Sequence, residues 1–218
     1  MRLSTKMTSR AARHGRFALC GLLALPVAGC DALLDVDVPG AVSSSALGDP
    51  NLMPSLVTSA RGELECALAS YIAGEAFMTN EMISSSSFRN FNVWTAHLLE
   101  LKTQTGACPT TTNATSAGFY VALASARFQA DDAFKRIEAF AEDELPLNKT
   151  QTLGLLAGLG GFAYTMLGEG FCEMAIDGGS LMTPAQVFEK ALERFTTAEQ
   201  LAQQANDAPV RNLALVGR

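Results

Sequence analysis

Residues 183–209 read TPAQVFEKALERFTTAEQLAQQANDAP, and this stretch decides the fold. Thr183 is a residue type that caps helix N-termini, Pro184 suits the first helical position, and Gln186 stands where a capping box places a glutamine that reaches back. Met182, just before the cap, is placed to staple onto Val187. Past the cap, Val187, Phe188, Ala191, Leu192, Phe195, Ala198, Leu201 and Ala205 recur at steps of three and four, the spacing of one helix face. Asn206-Asp207-Ala208-Pro209 closes the run, and a fifth helix is expected to open near Val210.

Working upstream, the same logic predicts a helix from Asn148 to about Gly168, with Asn148 capping while Gln151 reaches back. Leu155, Ala157, Gly158, Gly161, Ala163, Tyr164 and Leu167 run along it. Each glycine costs about 1 kcal/mol against alanine in an exposed helix, so these glycines point to close approach by a second helix. The clearest amphipathic pattern covers residues 117–145, where Leu123, Ala126, Ala130, Ala133, Ile137 and Phe140 form one face. Asp131/Lys135 and Asp132/Arg136 are acid-first pairs four apart, and these carboxylates are expected on a solvated face with no acid–base role. A first helix is expected over residues 51–82, with Pro54 in its first turn and Leu56, Ala60, Leu64, Ala67, Leu68 and Tyr71 along its stripe. Serines 84–87 end it; residues 88–109 are poorly patterned, with a short helix at about 93–102. No strand pattern competes beyond residue 49. The fold class is therefore all-α: antiparallel helical hairpins whose Ala and Gly contact faces resemble tetratricopeptide packing, with the repeat period broken by residues 171–182.

The 218 residues are 48% hydrophobic and 17% charged, which excludes disordered and collagen-like chains. Residues 1–29 carry five cations (Arg2, Lys6, Arg10, Arg13, Arg16), no acid, and an apolar run from Phe17 to Val27, the pattern of a secretory signal. Val27-Ala28-Gly29-Cys30 resembles the bacterial lipobox, which implies that Cys30 becomes the lipidated first residue of the mature chain; Cys20 is a poorer match because bulky Leu19 precedes it. Residues 30–49 then read as a lipidated tether, extended through Leu33-Leu34-Asp35-Val36-Asp37-Val38 and closed by Pro39-Gly40. Beyond residue 29 there are 11 Lys and Arg against 22 Asp and Glu, a formal charge of −11 that argues against a nucleic-acid partner. Export favours disulfides, and of Cys66, Cys108 and Cys172 the expected bridge is Cys66 to Cys172, closing a loop of about a hundred residues and contributing a few kcal/mol. Cys108 has no assigned partner.

The residues that carry chemistry elsewhere are sparse here. His97 is the one histidine past the signal, so paired-histidine metal sites cannot be built, and no metal or cofactor is expected. Serines 84–87 lack a G-x-S-x-G elbow, and Gly158-Leu159-Gly160-Gly161 lies within a helical pattern without the strand and Lys-Ser/Thr of a phosphate loop. Trp94, Phe88 and Phe91 cluster in the irregular segment, where they serve either as a platform for a sugar or as a cap on the helical bundle. Residues 212–218 start an apolar helix expected to stop after about two turns without room to bury its stripe, which reads as a truncated domain over residues 50–218.

Together, the lipobox, Leu33-Leu34-Asp35-Val36 with Pro39, Phe162-Ala163-Tyr164-Thr165-Met166-Leu167-Gly168, and Thr183-Pro184-Ala185-Gln186-Val187-Phe188 followed by Ala198 resemble the SusD/RagB family over most of residues 30–218. The chain departs from the family pattern after Gly168, reading Glu169-Gly170-Phe171-Cys172. The resemblance implies a non-enzymatic outer-membrane lipoprotein, anchored through its lipid, that captures an oligosaccharide or peptide for a TonB-dependent SusC-type transporter. A tetratricopeptide-like periplasmic scaffold that binds other proteins is the alternative, and a lipid-anchored hydrolase lacks an assembled nucleophile and base.

Overall fold

The computed structural model describes residues 46–85, 87, 89–98 and 120–218. The chain divides into two compact units, residues 1–43 and 44–218, and everything described belongs to the second. The expected signal over residues 1–29, the lipid attachment at Cys30, nearly all of the tether, Phe88 and Cys108 lie outside the described residues.

The described residues are mostly helical, and the class is all-α. Helix α1 (Met53–Met78) follows two 3-10 turns, Ala46–Gly48 and Pro50–Leu52, the second capped by the Asp49 side chain. Helix α2 spans Arg89–Thr95, α3 Tyr120–Ala139, α4 Lys149–Gly170, α5 Pro184–Gln204 and α6 Ala208–Gly217. Helix α5 begins as its sequence dictates: Thr183 and Gln186 form the capping box, with Pro184 at the start. It ends in a Schellman turn around Asn206 (φ 53°), where Asp207 N–H donates to the Ala202 carbonyl and Asn206 N–H to that of Gln203. Asp207 at once caps the next helix, accepting from Val210 N–H at 3.1 Å.

Contacts along the helices fix their directions. Ser59 on α1 donates to Gln129 on α3, and Ser125 on α3 donates to Glu63 on α1, so the two helices run antiparallel. Between α3 and α4, Tyr164 bonds Asp131 while Tyr120 meets Phe171 just past the end of α4. Along α4 and α5, Gly154 faces Leu201, Gly161 faces Phe195 and Gly168 faces Phe188. A Cβ at Gly161 would lie 2.7 Å from the Phe195 ring, so the glycines of α4 are there for close helix approach, as their spacing suggested. Leu123, Ile137, Leu156, Leu167, Val187 and Phe195 form the centre of the core. Each such side chain contributes about 1.5–3 kcal/mol when taken out of water.

Several expectations are corrected. Leu68 is exposed, because α3 covers the line of α1 through Ser59 and Glu63, and Leu68 lies off it. The short helix comes earlier than residues 93–102: His97 at φ 59° stops it in a Schellman turn, with Leu98 N–H donating to the Val93 carbonyl and His97 N–H to that of Trp94. Helix α3 stops at Ala139, not near residue 145. Lys149 donates its ammonium protons to the Glu138 and Phe140 carbonyls at the negative end of the α3 dipole, and Glu142, Asp143 and Glu144 form a separate 3-10 turn. Asn148 caps α4 as expected, but the Gln151 side chain does not reach back; it donates to Asp207 at 2.7 Å. Helix α6 is capped and its first part seated, with Val210 against Gly154 and Leu213 against Gly158, while Leu215 and Val216 near its end stay exposed, as the sequence suggested. Residues 171–183, expected without strands, hold a small antiparallel hairpin of β1 (Met174–Ala175) and β2 (Leu181–Met182). Its tip is a two-residue turn with Asp177 (φ 52°) and Gly178 (φ 71°) both left-handed, closed by Gly179 N–H on the Ile176 carbonyl.

Candidate functional site

The aromatic segment singled out in the sequence is a packing unit at Trp94. Phe77, Phe91 and Trp94 stand 5.2–6.5 Å apart, and Trp94 is 0% exposed. A buried indole offers no face to a sugar, so Trp94 takes the second of its two readings, as a cap on the helices. Phe91 is half-buried against it. His97 is exposed and its Nε2 lies 3.1 Å from Asn80 Oδ1, joining two left-handed turn residues.

The cysteines are arranged differently from the expected bridge. Cys66 is disulfide-bonded, and Cys172 is a free, exposed thiol, so the two are not joined; the partner of Cys66 lies outside the described residues. Helix geometry supplies the reason. The α1 residue that meets the end of α4 is Tyr71, whose ring touches Gly170. Cys66 is five residues earlier, about 7.5 Å along the axis and about 140° around it.

Sequence reasoning missed the densest polar constellation. Asp131 on α3, expected on a solvated face, is only 6% exposed, and Arg127 on the same helix only 5%. Asp131 does not pair with Lys135. Its Oδ1 accepts from Arg194 of α5 at 2.6 Å, and its Oδ2 accepts from the Tyr164 hydroxyl of α4 at 2.9 Å, with Arg127 3.7 Å away. Arg127 directs a two-pronged contact at Asp177 in the hairpin tip, at 2.7 and 2.8 Å. Arg194 stacks over Phe134 at 5.3 Å and Arg127 over Phe128 at 5.9 Å. The neighbouring Asp132 and Arg136 do form the surface pair that their spacing suggested, at 2.6 Å.

These contacts set protonation. Burial pushes the Tyr164 phenol up, and the charge and hydrogen bond of Asp131 add to it, so Tyr164 stays a proton donor. The hydrogen bond from Arg127 holds the Asp177 carboxyl below its ordinary value; partial desolvation opposes this, and the charges of Arg127 and Lys135 reinforce it. Burial works against the Arg127 charge, but the Asp177 hydrogen bond and the surrounding negative groups outweigh it and hold the guanidinium above its ordinary value. The Asp131 carboxylate thus couples three helices, and Arg127 beside it ties in the hairpin through Asp177. The sequence signal was present in two forms. Arg127 precedes Asp131 by four residues, and both are adjacent to the Ala126–Ala130–Ala133–Phe134 buried line.

Among the described residues, no group of three His, Cys, Asp or Glu side chains is placed to hold a metal ion, and no helix is long and apolar enough to cross a membrane. An open depression at the α5–α6 turn is lined by Ala202, Gln203, Asn206, Asp207, Ala208 and Arg211. Both carboxylate oxygens of its Asp207 are occupied, by Val210 N–H and Gln151. Comparison with protein-family models, with curated proteins and with solved structures finds no match to this chain.

Proposed function

We propose that this chain is a non-enzymatic, lipid-anchored surface protein that captures nutrient, an oligosaccharide or a peptide, for a TonB-dependent SusC-type transporter of the bacterial outer membrane. The observation that carries the reading is Val27-Ala28-Gly29-Cys30 behind a basic start and an apolar run, the pattern of a cleaved signal ending in a lipidated cysteine. The resemblance of the Thr183–Phe188 and Phe162–Gly168 stretches to the SusD/RagB family supports the transporter assignment. The antiparallel succession α3 to α6, with glycine and alanine at the α4–α5 contact, is compatible with tetratricopeptide-like packing. Buried Trp94 is not the ligand platform in this reading. That regular succession also favours a second reading, a periplasmic lipoprotein scaffold that binds proteins along its helices.

The test is made in the organism that encodes the chain, with a tagged copy cross-linked on intact cells and solubilised in detergent. The first reading expects lipid labelling, outer-membrane fractionation and a TonB-dependent transporter recovered in near-equal amount. Cys30→Ser should abolish the labelling and the fractionation. A labelled chain that recovers a soluble periplasmic protein in place of a transporter would favour the scaffold, and unchanged fractionation of Cys30→Ser would remove both readings.

A further inference from the structure

We propose that the hairpin between α4 and α5 is a flap latched by its own carboxylate, and that Asp177 occupies a seat built for the carboxylate of a ligand. The seat is Arg127. Its guanidinium is buried, yet its two terminal nitrogens are spent on one residue of a surface turn, in the fork geometry with which arginine recognises a carboxylate. The third nitrogen, Nε, is buried without a hydrogen-bond partner, an unmet donor that a second oxygen atom would satisfy.

The hairpin is constructed to lift at its tip and hold at its root. At the root, Met174 is buried, Phe171 stacks edge-on against Tyr120 at 5.2 Å, and the Tyr120 hydroxyl donates to the Ala175 carbonyl. Toward the tip the residues from Asp177 to Leu181 are exposed, and the two strands are two residues each, too short to hold a hairpin by themselves. The Asp177 side chain is itself 55% exposed, so its contact with Arg127 is reachable by solvent and by a competitor. Beneath it the charges are unbalanced once the tip is gone. Arg127 and Arg194 share the single carboxylate of Asp131, and Lys135 is near enough for its charge to act on the Asp177 position. Lifting Asp177 therefore uncovers a seat with excess positive charge, sized for a planar oxyanion and backed by the Phe128 ring. The ligand class is a carboxylate, taken in exchange for the internal one.

The experiment uses the whole chain, with acetate and succinate as probes. Hydrogen exchange is followed at residues 176–181 and, as an internal reference, in α3 and α4. Asp177→Ala should raise exchange at the tip by about tenfold or more, since a charge-assisted bidentate pair is lost, while the reference helices stay protected. Arginine side-chain signals should then show saturable binding of acetate or succinate at Arg127, at least about tenfold tighter than in the unaltered chain, because the internal competitor is gone. Asp177→Asn keeps the size of the side chain and removes its charge, and should behave the same way. Arg127→Met in the Asp177→Asn background should abolish the binding. The proposal is overturned if the tip opens without either probe binding at Arg127, if binding survives Arg127→Met, or if both Asp177 variants loosen α3 and α4 along with the tip.

Discussion

Replacing Gly161 and, separately, Gly62 by alanine tests the close packing of α4 and α5 through the sign of a stability change. Both residues are interior to long helices, so each substitution gains about 1 kcal/mol of helix propensity. At Gly62, on the exposed side of α1, an added Cβ meets nothing within 4 Å, and the gain should be realised in full. At Gly161 the added Cβ would stand 2.7, 2.8 and 2.9 Å from three atoms of the Phe195 ring, where carbon atoms at rest keep about 3.5–4 Å. The ring must recede by about 1 Å, and it has nowhere to go. Phe195 is 1% exposed, its edge contact with Phe162 is at 5.0 Å, and Gly217 of α6 closes against the same ring.

Overpacking of this kind costs about 1–3 kcal/mol, so Gly161→Ala should be neutral to about 2 kcal/mol destabilising while Gly62→Ala is about 1 kcal/mol stabilising. The difference between the two variants isolates the packing cost. At about 2–4 °C per kcal/mol for a chain of this size, thermal unfolding should separate their midpoints by about 2–12 °C. Gly168→Ala supplies a control. Its Cβ would also crowd a ring, that of Phe188, but Phe188 is partly exposed and can swing aside, so the loss should be smaller than at Gly161. Equal midpoints for Gly62→Ala and Gly161→Ala would refute the packing of Phe195 between α4 and α6.

Asp131→Ala leaves Arg127 and Arg194 without their shared carboxylate and should destabilise by about 3–5 kcal/mol, read from denaturant midpoints; a loss below about 1 kcal/mol would mean that water already reaches the network. The depressed Asp177 carboxyl contributes stability that is present above its unfolded value of about 4 and lost as pH falls through the folded value. Acidification should therefore open the hairpin tip in the unaltered chain, and exchange at residues 176–181 in Asp177→Asn should lack that pH response. Raised Tyr164 behaves oppositely: its contribution is intact below about pH 10 and fades above it, so its tyrosinate absorbance should appear together with loss of helical signal and not before. Without reductant, Cys172 should react with an alkylating agent while Cys66 does not, and a Cys66–Cys172 peptide in a non-reducing map would contradict the placement of α1 against α4.

Local signals were legible because their physics is local. Thr183-Pro184-Ala185-Gln186 satisfies the open N–H groups at one helix start with atoms three residues away, and Asn148 does the same for α4. The Ala and Gly spacing of α4 marked a contact face before any partner was known. Asp177-Gly178 is an equally local turn signal, set among longer helical patterns that overshadow it. Periodicity, though, says which side of a helix is apolar and not which element covers it. Leu68 belongs to the stripe by spacing and is exposed because α3 crosses elsewhere.

The same separation explains the site. From the sequence alone came the all-α class, the caps of α4 and α5, and the motif at Cys30 on which the anchoring proposal rests. The tertiary structure alone decided that Cys66 and Cys172 stay apart, that Trp94 is sealed, and that Asp131 serves as a shared acceptor. Its two donors come from two other helices, and Tyr164 and Arg194 are too distant along the chain for any spacing rule to link them to it. A carboxylate four residues from a lysine is a surface pair when water is its neighbour. Asp131 is something else because the rotation of α3 turns it toward α4 and α5, where a charge taken out of water persists only if enough donors converge on it.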